Sequence, residues 1–538
     1  MARRKTASEK DDARRPSAEA VLHKLMAWAE LDNVAEEVDD DTLGVLGDKV
    51  LREYKIDEGS RADWKQKAER ALERARLKRE SKSYPWDGAA NVKFPLLTTA
   101  SLQFAARAYP AIVEGKRIVK AQVQGSDPNG EKRAKADRIS EHMSYQLMNQ
   151  MPEWEEDTDT LLHQIPIVGC AFRKVFYDPA LKRNRSEMVS AIDLTVNQKT
   201  RSLETVPRIT HMFTLYPHEI EERIAAGAYL DITDIKGVAA GSDGDDDAPH
   251  EFLEQHRWCD LDDDGVREPW IVTVHKESAR VVRIVANYDP DSLKLTVTGS
   301  KERIDRIARY NCFVKYPFFR DPAGGFYDLG FGELLESINE IIDSTLNQML
   351  DAGHLQNAGG GFIGSGLRLK KSQLRFAPGQ YHTVDAPGIK VREAVYNMEH
   401  PGPSPVLFQL LGMMVEAGRE IANVKDILTG DNSSRNATAT TTLALIEQGM
   451  KVYTSIYKRL YSALRKEYKL LFELNSRYLD EQVYFNLQDD ERAVGQKDYD
   501  GDALDVVPVA DPNVVTDMQR MARAQVYMEV SQLSLIHI

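Results

Sequence analysis

Between residues 440 and 479 apolar side chains recur at steps of three and four: Leu443, Ile446, Met450, Tyr453, Tyr457, Leu460, Leu464, Tyr468 and Leu471. That spacing places all of them on one stripe of a single α-helix. At 1.5 Å per residue the helix is about 60 Å long. A helix of this length with one packing seam is unusual in a compact enzyme domain. It suits an elongated subunit that packs beside others of its kind.

The remaining sequence sets outer bounds. A chain of 538 residues is long enough for two to four domains with a sizeable core. Hydrophobic residues at 42% and charged residues at 29% are ordinary for a soluble globular protein. No run approaches the roughly 18 apolar residues of a membrane span. The first residues, MARRKTASEKDDARR, lack the apolar core of a signal peptide, so a cytoplasmic origin is expected. Cys170, Cys259 and Cys312 have neither zinc-site nor disulfide-framework spacing and read as reduced, packed thiols. The net charge of −14 argues against ordinary DNA reading through phosphate contacts. It fits an acidic wall past which DNA slides, or no DNA contact at all.

Along the chain, residues 1–16 are polar, 17–31 read as a helix striped by Val21, Leu22, Leu25, Met26 and Trp28, and 63–82 as a charged helix with a solvated face. Turn formers and aromatics at 84–91 precede helices expected at 96–114, 132–149 and 154–164. The stretch 165–177 looks strand-rich, and mixed α and β character continues to about 314, with strand signals at Val272, Arg280 and Leu295. Residues 237–249 read as an acidic loop. The turn-rich segment from Asp321 to Gly332 leads into a helix over 333–354. Leu334, Ile338, Ile341, Ile342, Leu346 and Met349 share one face of it. Glu333, Glu336, Glu340 and Asp343 line another. Such a face is either solvated or directed into a negatively charged channel. Residues 356–403 are glycine-containing with short strand-like runs, 406–428 is helical, and 429–438 is a polar break.

Catalytic signatures fail one after another. Gly359-Gly-Gly-Phe-Ile-Gly364 satisfies the dinucleotide spacing, but a helix precedes it and strand-like residues follow, the reverse of what the fingerprint needs. Asp260, Asp262, Asp263, Asp264 and Gly265 resemble the first half of a calcium loop, but Ile271 stands where a bidentate Glu belongs. An acidic turn between strands or a weak cation site are both open. No P-loop, nucleophile elbow or paired-histidine metal motif occurs. No cofactor, metal or catalytic residue is expected.

Tyr84-Pro-Trp-Asp-Gly-Ala-Ala-Asn-Val-Lys-Phe-Pro-Leu-Leu-Thr resembles the signature near the start of portal proteins of short-tailed bacteriophages. Further landmarks follow in order: Asp260-Leu-Asp-Asp-Asp-Gly-Val-Arg-Glu-Pro-Trp, Tyr316-Pro-Phe with Gly330-Phe-Gly-Glu-Leu, and Val506-Val-Pro-Val-Ala-Asp-Pro-Asn followed by Met518-Gln-Arg-Met-Ala-Arg. The resemblance covers about residues 84–530. It implies an α+β subunit of a ring, usually of twelve, at one capsid vertex of the virion, assembled in the host cytoplasm. Its implied partners are the terminase large subunit, capsid and scaffolding proteins, a tail adaptor, and double-stranded DNA threading the channel without sequence reading. The implied segments are an N-terminal charged region (1–83), a wing (84–315), a lead-in and first stem helix (316–355), a clip (356–403), a second stem helix and tunnel loop (404–440), and a long helix toward the crown (441–532).

On that reading Gly430, Asp431, Asn432, Ser433, Ser434, Arg435 and Asn436 form the tunnel loop, and Arg368, Lys370 and Lys371 dock the motor and the adaptor. Glu333, Glu336, Glu340 and Asp343 are the acidic stem face. Residues 533–538, Leu-Ser-Leu-Ile-His-Ile, break the pattern and resemble translated sequencing-adapter sequence, so the crown end is expected to be truncated. Two other readings stand beside it: a metal-dependent nuclease or protease using the Asp260–Asp264 cluster, and an oligomeric scaffold with no DNA role.

Overall fold

The computed structural model describes residues 18–79, 86–113, 117–232, 247–262, 265–290, 293, 295–298, 301–304, 307–358, 361–363, 395–397, 401–422, 439–480, 483–487, 490–499 and 504–509. In chain order the helices are α1 (Ala18–Ala29), α2 (Asp40–Ser60), α3 (Ala62–Ala75), α4 (Leu96–Val113), α5 (Glu131–Tyr145), α6 (Glu153–Val168), α7 (Pro217–Ala225), α8 (Phe331–Leu334), α9 (Glu336–Ala358), α10 (Pro405–Ile421) and α11 (Ala439–Tyr478). The strands are β1 (Val119–Val123), β2 (Cys170–Asp178), β3 (Arg183–Val189), β4 (Leu194–Thr195), β5 (Arg208–Leu215), β6 (His250–Cys259), β7 (Glu268–His275), β8 (Val281–Ala286), β9 (Leu295–Thr298), β10 (Lys301–Ile304), β11 (Phe313–Pro317), β12 (Gly361–Ile363), β13 (Val395–Asn397), β14 (Val483–Leu487), β15 (Asp490–Val494) and β16 (Leu504–Pro508). Every described strand pair is antiparallel, and helices are segregated from strands along much of the chain, so the fold class is α+β.

Two compact units are built from non-adjacent segments: residues 1–70, 101–333 and 439–538 in the first, and 71–100 and 334–438 in the second. In the first unit a five-stranded sheet runs β4-β5-β6-β7-β8 and a three-stranded sheet β11-β2-β3. Helices of the N-terminal charged region cap the larger sheet. Val21, Leu25 and Trp28 of α1 and Leu43, Leu46 and Val50 of α2 share one core with Trp270, Val272, Val274 and Ile284. Trp28 meets Trp270 edge to face at 5.5 Å. Gly47 lets α2 lie directly on the Ala279 carbonyl, where any Cβ would collide.

Helix α2 is an addition to the sequence reading. Its apolar steps of three and four are there, and Asp39 caps it by accepting from the Thr42 N–H at 2.9 Å. The strand-rich expectation at 165–177 is corrected in part, because α6 runs on to Val168 and β2 begins at Cys170. Ile165 and Val168 are β-branched, but both are buried on the helix, which stops at Gly169 with φ +107. There the chain passes so close to the 328–329 backbone that only glycine fits.

The long helix is present as α11, 40 residues. Its seam from Tyr457 through Leu460, Leu464, Tyr468 and Leu471 is buried in the first unit. Glu467, fully buried, lies within that seam between Leu464 and Leu471. Its carboxylate accepts from Trp154 Nε1 of α6 at 2.8 Å, Ser186 Oγ of β3 at 2.7 Å, and the Tyr316 hydroxyl of β11. Arg173 of β2, also buried, lies 4.0 Å from it and donates to the Ser186 and Trp154 carbonyls and to Thr158 Oγ1. A buried charge is tolerable when it is paired and its lone pairs are occupied.

A second set of buried contacts ties α5 and the turn after it to the end of α11 and to Tyr499. The amides of Gln146 and Asn475 exchange hydrogen bonds at 3.0 Å each way. His142 Nδ1 lies 2.6 Å from the Tyr499 hydroxyl.

Removing the Glu467 carboxylate strands the Arg173 charge and three donors. Glu467→Ala is expected to lower the unfolding free energy by about 3–5 kcal/mol, measured by denaturant titration. Lys466→Ala, at the exposed neighbour, should change it by less than about 0.5 kcal/mol. Equal effects would remove Glu467 from its organising role.

Burial also sets a pH dependence. It pushes the His142 imidazole from its ordinary 6.5 down to about 4. Between those values the unfolded chain binds a proton that the folded chain does not. Stability therefore falls as pH drops through that window, by about 1.4 kcal/mol per pH unit for this group. His142→Gln should flatten the slope of unfolding free energy between pH 6.5 and 4 by about one proton; an unchanged slope contradicts the assignment.

Candidate functional site

In the second unit, α9 and α10 pack antiparallel. Gly418, near the end of α10, faces Ile338 near the start of α9, and Gly402, just before α10, faces Gln356 near the end of α9. The chain between them is closed at its base by the ribbon β12–β13, with Gly361 opposite Asn397 and Ile363 opposite Val395. A helix before the glycines and a strand at 361–363 is the reverse of the order a dinucleotide fingerprint requires.

The apolar residues expected to share one face of the helix over 333–354 divide: Ile342 is buried, Ile338, Leu346 and Met349 are half-buried, and Leu334 and Ile341 are exposed. Asp343, Asn347 and Asp351 are 6–7% exposed, while Ile341 at 42%, Leu350 at 38% and Leu355 at 37% face outward. The polar stripe is buried because it binds backbone. Asp343 accepts from the Phe94 N–H at 2.8 Å, Asn347 from Val92 at 2.7 Å, and Asp351 from Ala90 at 2.6 Å. Asn347 Nδ2 also donates to the Val92 carbonyl at 3.0 Å. Every second residue of an extended chain advances about 6.6 Å and every fourth residue of a helix about 6 Å, so the two repeats stay in step. Thus the segment Ala90–Phe94, part of the motif singled out in the sequence, is held as though α9 were a neighbouring strand. The signal was legible as an acid-or-amide at 343, 347 and 351, four residues apart; the sequence reading took up only Asp343.

The other acidic residues are also engaged by the chain itself. Arg74 of α3 lies 2.9 Å from Glu340 and 3.8 Å from Glu336. Lys93 lies 3.6 Å from Asp343. In the first unit, Lys67 donates to Glu333 at 2.6 Å. Neither this acidic face nor the basic side of α3 is a bare, water-facing row. Glu333 belongs to α8, separated from α9 at Leu335.

The acidic turn at Asp260 is the β6–β7 hairpin loop. Asp260 accepts from the Gly265 N–H at 2.8 Å, and Asp262 pairs with Lys24 at 2.7 Å. Among the described residues no group of three His, Cys, Asp or Glu side chains is placed to hold a metal ion. Asp263 and Asp264 lie outside the described residues, as do Arg368, Lys370, Lys371 and the whole run Gly430–Asn436. No described helix is long and apolar enough to cross a membrane. No protein-family model and no curated protein matches this chain.

Asn347→Leu removes both halves of the central hydrogen-bonded rung. Leaving the Val92 N–H and carbonyl unsatisfied costs about 1–3 kcal/mol. The Val92 amide is therefore expected to exchange its hydrogen about tenfold to a hundredfold faster. Protection equal to wild type would show that the ladder does not hold the segment.

Proposed function

We propose that this chain is a subunit of a ring-shaped, tailed-phage portal, a structural and DNA-translocating protein without a catalytic site of its own. The observation that carries the reading is an antiparallel helix pair that leaves large apolar side chains in water. On α10, Val406 is 70% exposed, Phe408 67% and Met413 65%, and α9 adds Ile341, Leu350 and Leu355. Exposed apolar surface of this kind on a stable helix pair calls for a neighbour. Rotational symmetry supplies one to every copy at once.

The pair brackets a ribbon-based segment, as stem helices bracket a clip, and the 40-residue α11 follows. On this reading 356–403 is the clip that docks the terminase motor and then the tail adaptor, through Arg368, Lys370 and Lys371. Gly430–Asn436 is the tunnel loop, in which Arg435 contributes one positive charge per subunit. Such a ring of charge touches DNA phosphates weakly enough to guide without trapping. Of the carboxylates in the hydrolase alternative, Asp260 accepts from the Gly265 N–H and Asp262 pairs with Lys24.

The test is electron microscopy of the purified protein with native mass spectrometry. Closed rings with a channel wide enough for duplex DNA are expected. Phe408→Asp with Met413→Asp should shift the population toward monomer while far-ultraviolet circular dichroism is retained. A monomer under all conditions, or closed rings without a channel, overturns the reading.

A further inference from the structure

The first unit carries two surfaces of opposite charge, one lining a cleft beside α11 and the other over β8. One is a cleft of about 550 Å³ between α11, β11 and the loop joining β4 to β5. Seven basic side chains line it against three acidic ones, Glu204, Asp328 and Glu473, in a protein whose overall charge is −14. Lys458, Ser462, Lys466 and Lys469 follow one another on the exposed side of α11, and Arg201 and Arg320 stand on the facing wall. Lys466 and Lys469 have acidic neighbours at 3.4 Å, Glu204 and Asp505. Among the described residues Arg201, Arg320 and Lys458 have no ion-pair partner within 4.0 Å.

The other surface lies over β8. From residue 30 to residue 48 the chain holds eight carboxylates and no Lys, Arg or His. All eight are exposed, among them Glu36, Glu37, Asp40, Asp41 and Asp48. This knob is fixed in place. Asn33 bridges to β8 by donating to the Val282 carbonyl at 3.1 Å and accepting from the Ile284 N–H at 3.0 Å. Helix α2 then runs from the knob to the β4–β5 side of the sheet. There Asp57 pairs with Arg208 at 2.7 Å, and Arg61 donates to the Leu194 carbonyl and to Thr195 Oγ1. The 21 residues of α2 span about 31 Å from the knob to the strand β4 end of the sheet.

We infer that the basic cleft receives the acidic knob of a second copy of this chain. Two different, complementary patches on one protomer make a head-to-tail interface, which either closes into a ring or continues as a filament. The inference deepens the ring reading by naming the surfaces that join neighbours, and it rests on that reading only for closure. An interface of exposed charges also weakens as salt shortens the reach of each charge, to about 3 Å at 1 M.

The test uses the full chain and follows its mass distribution by native mass spectrometry and light scattering at low and high salt. Lys458→Glu with Lys466→Glu should raise the dissociation constant at least tenfold, and so should Glu36→Lys with Glu37→Lys. Combining the two pairs should restore assembly. Circular dichroism and the thermal midpoint check that each variant folds. Assembly insensitive to both reversals, a combined variant that stays dissociated, or a wild-type chain that stays monomeric overturns the inference. So does a gel shift of duplex DNA that is lost on Lys458→Glu with Lys466→Glu while assembly is unchanged, because the cleft is then a nucleic-acid site. Channelled rings that ignore both reversals leave the portal reading intact and remove only this interface. Charge-dependent oligomers that form open filaments or lack a channel keep the interface and remove the portal.

Discussion

The carboxylate of Glu467 sits within the buried apolar seam of a 40-residue helix, and four elements of the first unit converge on it. Its oxygens take donors from α6, β3 and β11, and Arg173 of β2 lies beside it with its own protons committed to the Ser186 and Trp154 carbonyls and to Thr158. Hydrophobic contact alone is non-directional, and a long apolar stripe can slide by a turn against a sheet at small cost. A buried ion pair with several fixed hydrogen bonds has one register in which it is satisfied, and a helix shifted by one turn would leave both charges unpaired. The amide exchange between Gln146 and Asn475, eight residues further along α11, repeats the constraint without charge.

The second unit uses the same chemistry in a different form. Helix α9 buries carboxylates and an amide in order to satisfy the N–H groups of an extended segment, and leaves Ile341, Leu350 and Leu355 outside. Backbone donors buried without acceptors are expensive, and a side-chain ladder on a helix supplies acceptors at the repeat of a strand. On the proposed reading, the apolar surface left exposed is where a neighbouring copy packs. In the proposed ring, that surface and the two oppositely charged surfaces of the first unit have separate parts: apolar area supplies adhesion, and charge placement supplies orientation.

Period alone determined much of the helical framework. The steps of three and four in 440–479, the apolar stripe of 17–31 and the apolar run of 96–114 gave helices within a few residues of α11, α1 and α4, and α10 covers 406–421 of the helix expected over 406–428, whose residues 423–428 lie outside the described ones. The α+β class and the acidic hairpin at Asp260 were equally legible from alternation and turn residues. The stripes that periodicity marked on α1 and α11 are the ones buried, but tertiary structure alone decided what each helix meets and which polar residues α9 buries. Nothing local marks Glu467 as a core residue; only the convergence of Trp154, Ser186, Tyr316 and Arg173, up to 313 residues away, makes a charge acceptable there. Nor does local pattern reveal that Lys67 and Arg74 belong to Glu333, Glu336 and Glu340, or that the N-terminal helices complete the core of a sheet more than 200 residues later. Periodicity reports how a segment divides its own polar and apolar surface. Which of those surfaces is buried depends on partners brought together by the whole chain, and a buried hydrogen-bond ladder or ion pair can reverse the choice that hydrophobicity alone would make.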